Sequence, residues 1–204
     1  IKNGEEFFQI ECAVTDENGP TGYSAVVHKK GKLLCIRGES VSRVSDYIGK
    51  LNAVIFSPPD LNLFDSSPAE RRKMMDMELG KMSKLYTAFL SRYVRLLKNR
   101  NAYLKQNLSD ENLMEAISEQ MIHPEAEIMK QRNRFTEQLN ANMTDIYRRL
   151  SKSEDTVRVE YVSTVPFTED EKILEERLRA KQNASLERDK LTGMTNTGIQ
   201  REDL

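Results

Sequence analysis

Histidine, cysteine and tryptophan are scarce or missing in this sequence: its 204 residues include 2 His, 2 Cys and no Trp. His28 and His123 are widely separated, and neither Cys12 nor Cys35 belongs to a C-x-x-C pair, so no standard zinc spacing occurs. The thiols read as half-buried cysteines of a reducing compartment. No apolar run reaches roughly 18 residues and no basic-then-apolar leader is present, which argues against a membrane partner and points to the cytoplasm. Charge of one sign is lacking too: 31 basic residues meet 32 acidic ones for a net charge of -1. Any attraction to a polyanion must therefore come from a local patch. With 6 Pro, 9 Gly and 31% charged residues, the composition is that of a helix-rich, folded chain.

Catalytic signatures are missing as well. A phosphate-cradling loop needs G-x-x-x-x-G-K-[ST], yet Gly31-Lys32 is followed by Leu33, and Val26 stands where the first glycine belongs. No G-x-S-x-G elbow, H-E-x-x-H helix or Cys–His pair occurs. Without convergent acid, base and electrophile, this chain by itself is not expected to be an enzyme, nor to carry a cofactor or metal.

What is present falls into three stretches. Residues 1–66 read as a partial, mostly antiparallel sheet. Strand-like runs at Glu5–Val14, Tyr23–Lys29 and Leu33–Arg37 are separated by Asp16-Glu17-Asn18-Gly19-Pro20 and Lys30-Gly31-Lys32, and Ala53–Phe56 suggests a buried strand. Residues 67–155 read as helix. Ser67-Pro68-Ala69-Glu70 has the form of a capping box with proline at the first helical position, and helix signals run on to about Leu150. Leu85, Phe89, Tyr93, Leu97 and Leu104 form one apolar stripe; Ile128, Phe135, Leu139, Met143, Ile146 and Leu150 form a second. The polar run Gln106–Asp110 between them predicts an antiparallel hairpin with its tip near residue 108, and Pro124 predicts a kink or restart. In 156–204, alternation over Thr156–Ser163 predicts a return strand. Thr168-Glu169-Asp170-Glu171 predicts the start of a helix ending near Asp189, followed by a Gly- and Thr-rich loop.

Arg92, Arg95, Lys98, Arg100 and Lys105 occur in one stretch without an acidic residue, which suits sequence-independent contact with DNA phosphates. Arg71 and Arg72 follow a helix start, where a phosphate or a partner carboxylate could bind.

Two long runs resemble a known family. Val54-Ile55-Phe56-Ser57-Pro58-Pro59-Asp60-Leu61 with Ser67-Pro68-Ala69-Glu70-Arg71-Arg72 and Asp76, and then Leu90 through Lys105, resemble the RecF family of bacterial DNA replication and repair ATPases. Arg188-Asp189 through Arg201-Glu202-Asp203-Leu204 resembles that family's run R-D-x-x-x-G-x-T-x-x-G-P-H-R-D-D-L, with Gly198, Arg201, Glu202 and Asp203 as its terminal loop. The resemblance implies an α+β chain: a partial sheet of an ABC-type, SMC-like ATPase head with a long antiparallel helical-hairpin arm. It further implies an internal piece of a longer protein, with Walker A upstream and the signature and Walker B motifs downstream. Ser57, Pro58 and Asp60 would then form a Q-loop-like turn near nucleotide. ATP and Mg2+ are expected for the longer protein, as are slow DNA-dependent ATP hydrolysis and ATP-dependent homodimerisation. Its expected partners are DNA and RecR- and RecO-type mediator proteins. Pro59, Ile117 and Gly198-Ile199-Gln200 depart from the family pattern, where Glu, Trp and G-P-H are usual. The alternative from another class is a noncatalytic helical hairpin that binds protein.

Overall fold

The computed structural model describes residues 4–51, 57, 63, 65–106 and 111–204. The chain divides into two compact units, Ile1–Ile55 and Phe56–Leu204. The architecture is α+β.

In the first unit, β1 (Phe7–Asp16), β2 (Gly19–His28), β3 (Gly31–Ile36) and β4 (Glu39–Ser40) form an antiparallel meander in chain order. Its register runs from Phe7 opposite His28 to Asp16 opposite Gly19, and from His28 opposite Gly31 to Tyr23 opposite Ile36. The first reversal is set by Asp16, whose Oδ1 accepts the Asn18 N–H at 2.8 Å. The last needs left-handed backbone at both central residues, Arg37 (φ 54°) and Gly38 (φ 83°), which fits a tight primed turn. Pro20 is tolerated because it lies beside the turn, beyond the reach of the β2–β3 pairing that begins at Tyr23. A short helix α1 (Val44–Tyr47) follows, with Tyr47 edge-on to Tyr23 at 6.0 Å between ring centres. The expected strand Ala53–Phe56 lies outside the described residues.

The second unit holds α2 (Pro68–Met82), α3 (Lys84–Lys105), α4 (Glu111–Ser151) and α5 (Glu171–Thr192). Helix α2 starts where the sequence predicts, with Pro68 at its first position, but the Ser67 side chain makes no cap bond. Instead the Ser67 carbonyl accepts from the Glu70 N–H at 2.9 Å. The helical run expected to continue unbroken is interrupted at Ser83, which is extended and whose Oγ caps α3 by accepting from the Tyr86 N–H. Helix α5 begins after Asp170, not Thr168, because Asp170 Oδ1 accepts from the Ile173 N–H. It ends on Gly193, which takes the left-handed conformation (φ 65°) that closes many helices.

Helices α3 and α4 are antiparallel. Tyr86 meets Arg132, Tyr93 and Glu125 both border Gly198, and Arg100 meets Ser118, so α4 retreats by seven residues for each seven that α3 advances. The predicted hairpin tip, 107–110, lies outside the described residues. Pro124 neither ends nor restarts α4, which is continuous through it. The buried seam of α3 is also turned from the predicted stripe. It comprises Tyr86, Tyr93, Leu96, Arg100, Tyr103 and Leu104, while Leu85 is exposed. On α4, Ile128 and Phe135 are buried, but Ile146 and Leu150 lie beyond the packed region and are exposed. Met75, Met121, Met129, Leu174, Leu178 and Ile199 complete a core shared by α2, α4, α5 and the terminal loop. Each such side chain contributes roughly 1.5–3 kcal/mol through removal from water.

The return strand predicted over Thr156–Ser163 is reduced to one antiparallel bridge, Val162 with Asp203. The segment before the bridge finds its partner in a side chain. Asn140 on α4 donates through Nδ2 to the Val159 carbonyl and accepts through Oδ1 from the Val159 N–H, both at 2.8 Å. One amide thus replaces a neighbouring strand.

Candidate functional site

Helix α3 carries no acidic residue, and its periodicity sorts its cations by face. Arg92, Arg95 and Lys98 follow at spacings of three, so they wind slowly around one side, and all three are exposed. Lys105 is exposed near the end of the helix. Among the described residues, none of these four is held in an ion pair.

Arg100 corrects the expectation. It is 1% exposed and lies in the seam, where Nη1 donates to Asp189 Oδ2 at 2.8 Å and Thr195 Oγ1 at 2.7 Å, and Nε donates to Ser118. A guanidinium so enclosed cannot reach a DNA phosphate. Its role is to fasten α3 to α5 and to the terminal loop. Asp189 also accepts from the Asn196 N–H and amide at 2.9 Å each, so one buried carboxylate organises the loop's entry.

The loop's end is held by arginines of α2 and α4. Arg71 grips Asp203 with two bonds of 2.7 Å and donates to the Ser66 carbonyl, while Arg72 donates to the Glu202 carbonyl. At Arg71, where the sequence suggests a phosphate or a partner carboxylate, the chain's own Asp203 is bound, and the Arg71 guanidinium keeps the Asp203 carboxyl below the usual carboxylate range. Arg132 forms the hub. Its guanidinium donates to Asp76 (2.8 Å), Glu202 (3.1 Å), the Ile199 carbonyl (3.0 Å) and the Tyr86 hydroxyl (3.2 Å). Burial works against the charge on Arg132, but Tyr86, Tyr161, Asp76 and Glu202 together outweigh it and keep the group charged. Glu202 also accepts from the Tyr161 hydroxyl and from Thr164.

Gly198 shows why this position takes glycine. Its φ is 108°, and a Cβ there would overlap the Tyr93 hydroxyl. That hydroxyl donates to Gln200 Oε1 at 2.7 Å. Beside it, Glu125 is buried and accepts from Gln182 at 3.1 Å. Burial, then the nearby Glu202, push the Glu125 carboxyl up to about 8, so it is mainly protonated at neutral pH. Gln182 Oε1 is a buried side-chain acceptor left without a donor among the described residues, while its Nε2 serves Glu125.

Of the predicted site residues, the structure thus brings Arg71, Arg72, Gly198, Glu202 and Asp203 together around the terminal loop. Arg201 is exposed and donates to the Thr195 carbonyl at 3.2 Å. Ser57 is half-buried, and Pro58 and Asp60 lie outside the described residues.

No protein-family model matches the chain. It is 37% identical over 202 residues to the DNA replication and repair protein RecF of Streptococcus gordonii, covering 98% of this chain and 55% of that protein. RecF of Halalkalibacterium halodurans is 34% identical over 203 residues, covering 97% and 55%. A solved structure described as the recombination mediator protein RecF-ATP in the RecFOR pathway superposes on 100% of this chain and 56% of its own, with a TM-score of 0.91 and 26% identity. A second, described as RecF-ATPrS, gives a TM-score of 0.86. The chain belongs to the RecF family.

It spans about half the length of the RecF proteins it matches. Two departures from the RecF pattern now have surroundings: Ile117 packs at the edge of the helical core, and Ile199 is buried within it. Arg132, Tyr161, Glu125 and Gln182 were not anticipated from sequence. A usable signal existed for Arg132, which sits four residues after Ile128 and three before Phe135, a charge at an apolar seam position.

Proposed function

We propose that this RecF-family chain is the arm-bearing part of a longer DNA replication and repair protein, in which α3 contacts the DNA backbone. Arg92, Arg95 and Lys98 carry the reading: they are exposed on one side of an acid-free helix, with no ion pair among the described residues. Such a surface favours phosphates of any sequence, because charge and not base edges provides the attraction. Lys105 extends the same surface toward the hairpin tip.

In this proposal the longer protein binds ATP with Mg2+, and the stretch around Ser57, Pro58 and Asp60 lies near the nucleotide. The terminal loop, fastened by Arg71, Arg72, Arg100 and Arg132, transmits rigidity between helices and does not itself touch DNA. RecR- and RecO-type mediators and a second copy are the partners the family suggests, in the bacterial cytoplasm. No helix of the described residues is long and apolar enough to cross a membrane. A protein-binding role for the hairpin has one observation in its favour, the exposed Ile146 and Leu150 at the end of α4.

Charge reversal tests the DNA contact. Replacing Arg92, Arg95 and Lys98 with Glu is expected to lower retention of duplex DNA at low salt by at least about tenfold. Circular dichroism should be unchanged because all three side chains are in water. Undiminished retention would remove α3 from the DNA surface.

A further inference from the structure

Helices α4 and α5 place three potential metal ligands together that are remote in sequence. His123 Nδ1 lies 3.2 Å from Glu175 Oε1 and 3.5 Å from Glu171 Oε1. One donor atom from each of the three residues lies within 4.8 Å of the others. Glu171 and Glu175 are one turn apart on α5 and so share a face.

Within the protein, His123 Nδ1 faces two carboxylate oxygens, and water reaches all three groups. Nδ1 of an imidazole carries at most one proton and can satisfy one of the two carboxylates at a time. A dication satisfies all three groups at once. Four-coordinate ions held about 2.0–2.2 Å from nitrogen and oxygen separate their ligands by roughly 3.3–3.5 Å, close to the spacing found at His123. The neighbours also prepare the ligands. Lys130 Nζ takes the other oxygen of Glu171, Oε2, at 3.0 Å and Glu127 at 2.9 Å, which leaves Glu171 Oε1 turned to His123. Phe89 meets the imidazole edge-on at 5.6 Å and limits its rotation.

We propose that His123, Glu171 and Glu175 bind one divalent transition ion of the zinc class, with water completing its shell. One nitrogen and two carboxylate donors favour zinc, cobalt or nickel over magnesium and calcium, which prefer oxygen alone. The bound ion cross-links α4 to α5, the helix that leads into the terminal loop. This site is independent of the DNA-binding reading, since none of its ligands lies on α3.

Calorimetric titration of Zn2+ into chelator-treated protein near neutral pH tests it, alongside visible absorption with Co2+. One ion per chain with roughly micromolar affinity is expected, together with a higher Tm when Zn2+ is present. His123→Ala and Glu175→Gln should each weaken binding at least about tenfold and abolish the rise in Tm. His123 is half in water and Glu175 partly so, and circular dichroism verifies that both variants fold. Absence of Zn2+ binding would overturn the proposal. So would equal binding by His123→Ala, which would place the ion elsewhere, for example on Cys12 or Cys35.

Discussion

Arginine serves opposite purposes at neighbouring positions of one helix. Arg92 and Arg95 keep their charge in water, while Arg100 and, across the seam, Arg132 give theirs to enclosed carboxylates. A buried pair of this sort adds little net stability, because desolvation offsets attraction, but either partner left alone is costly. Its value here is specificity of placement: Arg132 can satisfy Asp76, Glu202 and the Ile199 carbonyl only when the terminal loop follows its observed path. Glu125 gives a test at this scale. Its carboxyl is raised from 4.5 to about 8 by burial and by Glu202, so between these values only the folded chain holds the proton. The contribution to stability is complete below the unfolded value and is lost as pH rises toward the folded one, by at most about 1.4 kcal/mol per pH unit. Urea unfolding from about pH 5 to about pH 8 should therefore show a falling stability that Glu125→Gln flattens. The same slope in both proteins would mean that Glu125 ionises normally.

At the scale of elements, the side chain of Asn140 stands in for a strand. Asn140→Ala removes both backbone bonds of Val159 and should cost about 1–3 kcal/mol, because that peptide is then left without its partner in a buried setting. Faster hydrogen exchange at the Val159 amide, with little change in α3, would accompany it; unchanged exchange would show that the bridge at Val162 holds the segment alone. This segment also shows what sequence could and could not reveal. Alternating Val157, Val159 and Tyr161 reports a backbone with two faces, and these three are buried or half-buried while Arg158 and Glu160 between them are exposed. Alternation carries no information on the partner, which proved to be an amide 19 residues earlier. Pro68, Gly193 and the acid-rich start of α5 mark local backbone chemistry and were legible. The α3 seam is displaced from the apolar stripe because Arg100 and Tyr103 occupy positions that an apolar count passes over. Position separates Arg100 from Lys98, since Arg100 stands three residues after Leu97 and four before Leu104, on the apolar stripe, but which carboxylate it meets depends on a residue 89 positions away, Asp189, which no local pattern reveals.

For the whole molecule, overall charge is uninformative and its distribution decides. A net charge of -1 coexists with an acid-free helix whose exposed cations lie together, because acidic residues are drawn into α4–α5 pairs and the buried loop network. A field so localised acts within about one Debye length, so DNA affinity should be strongly dependent on salt. The salt dependence itself is the most direct test, because its slope reports how many phosphates the protein neutralises. Measured between about 50 and 200 mM salt, the slope of log K against log salt should become shallower by about 2–3 when Arg92, Arg95 and Lys98 are all replaced by Ala. An unchanged slope, with the variant folded, would contradict the assignment of α3 to the DNA backbone.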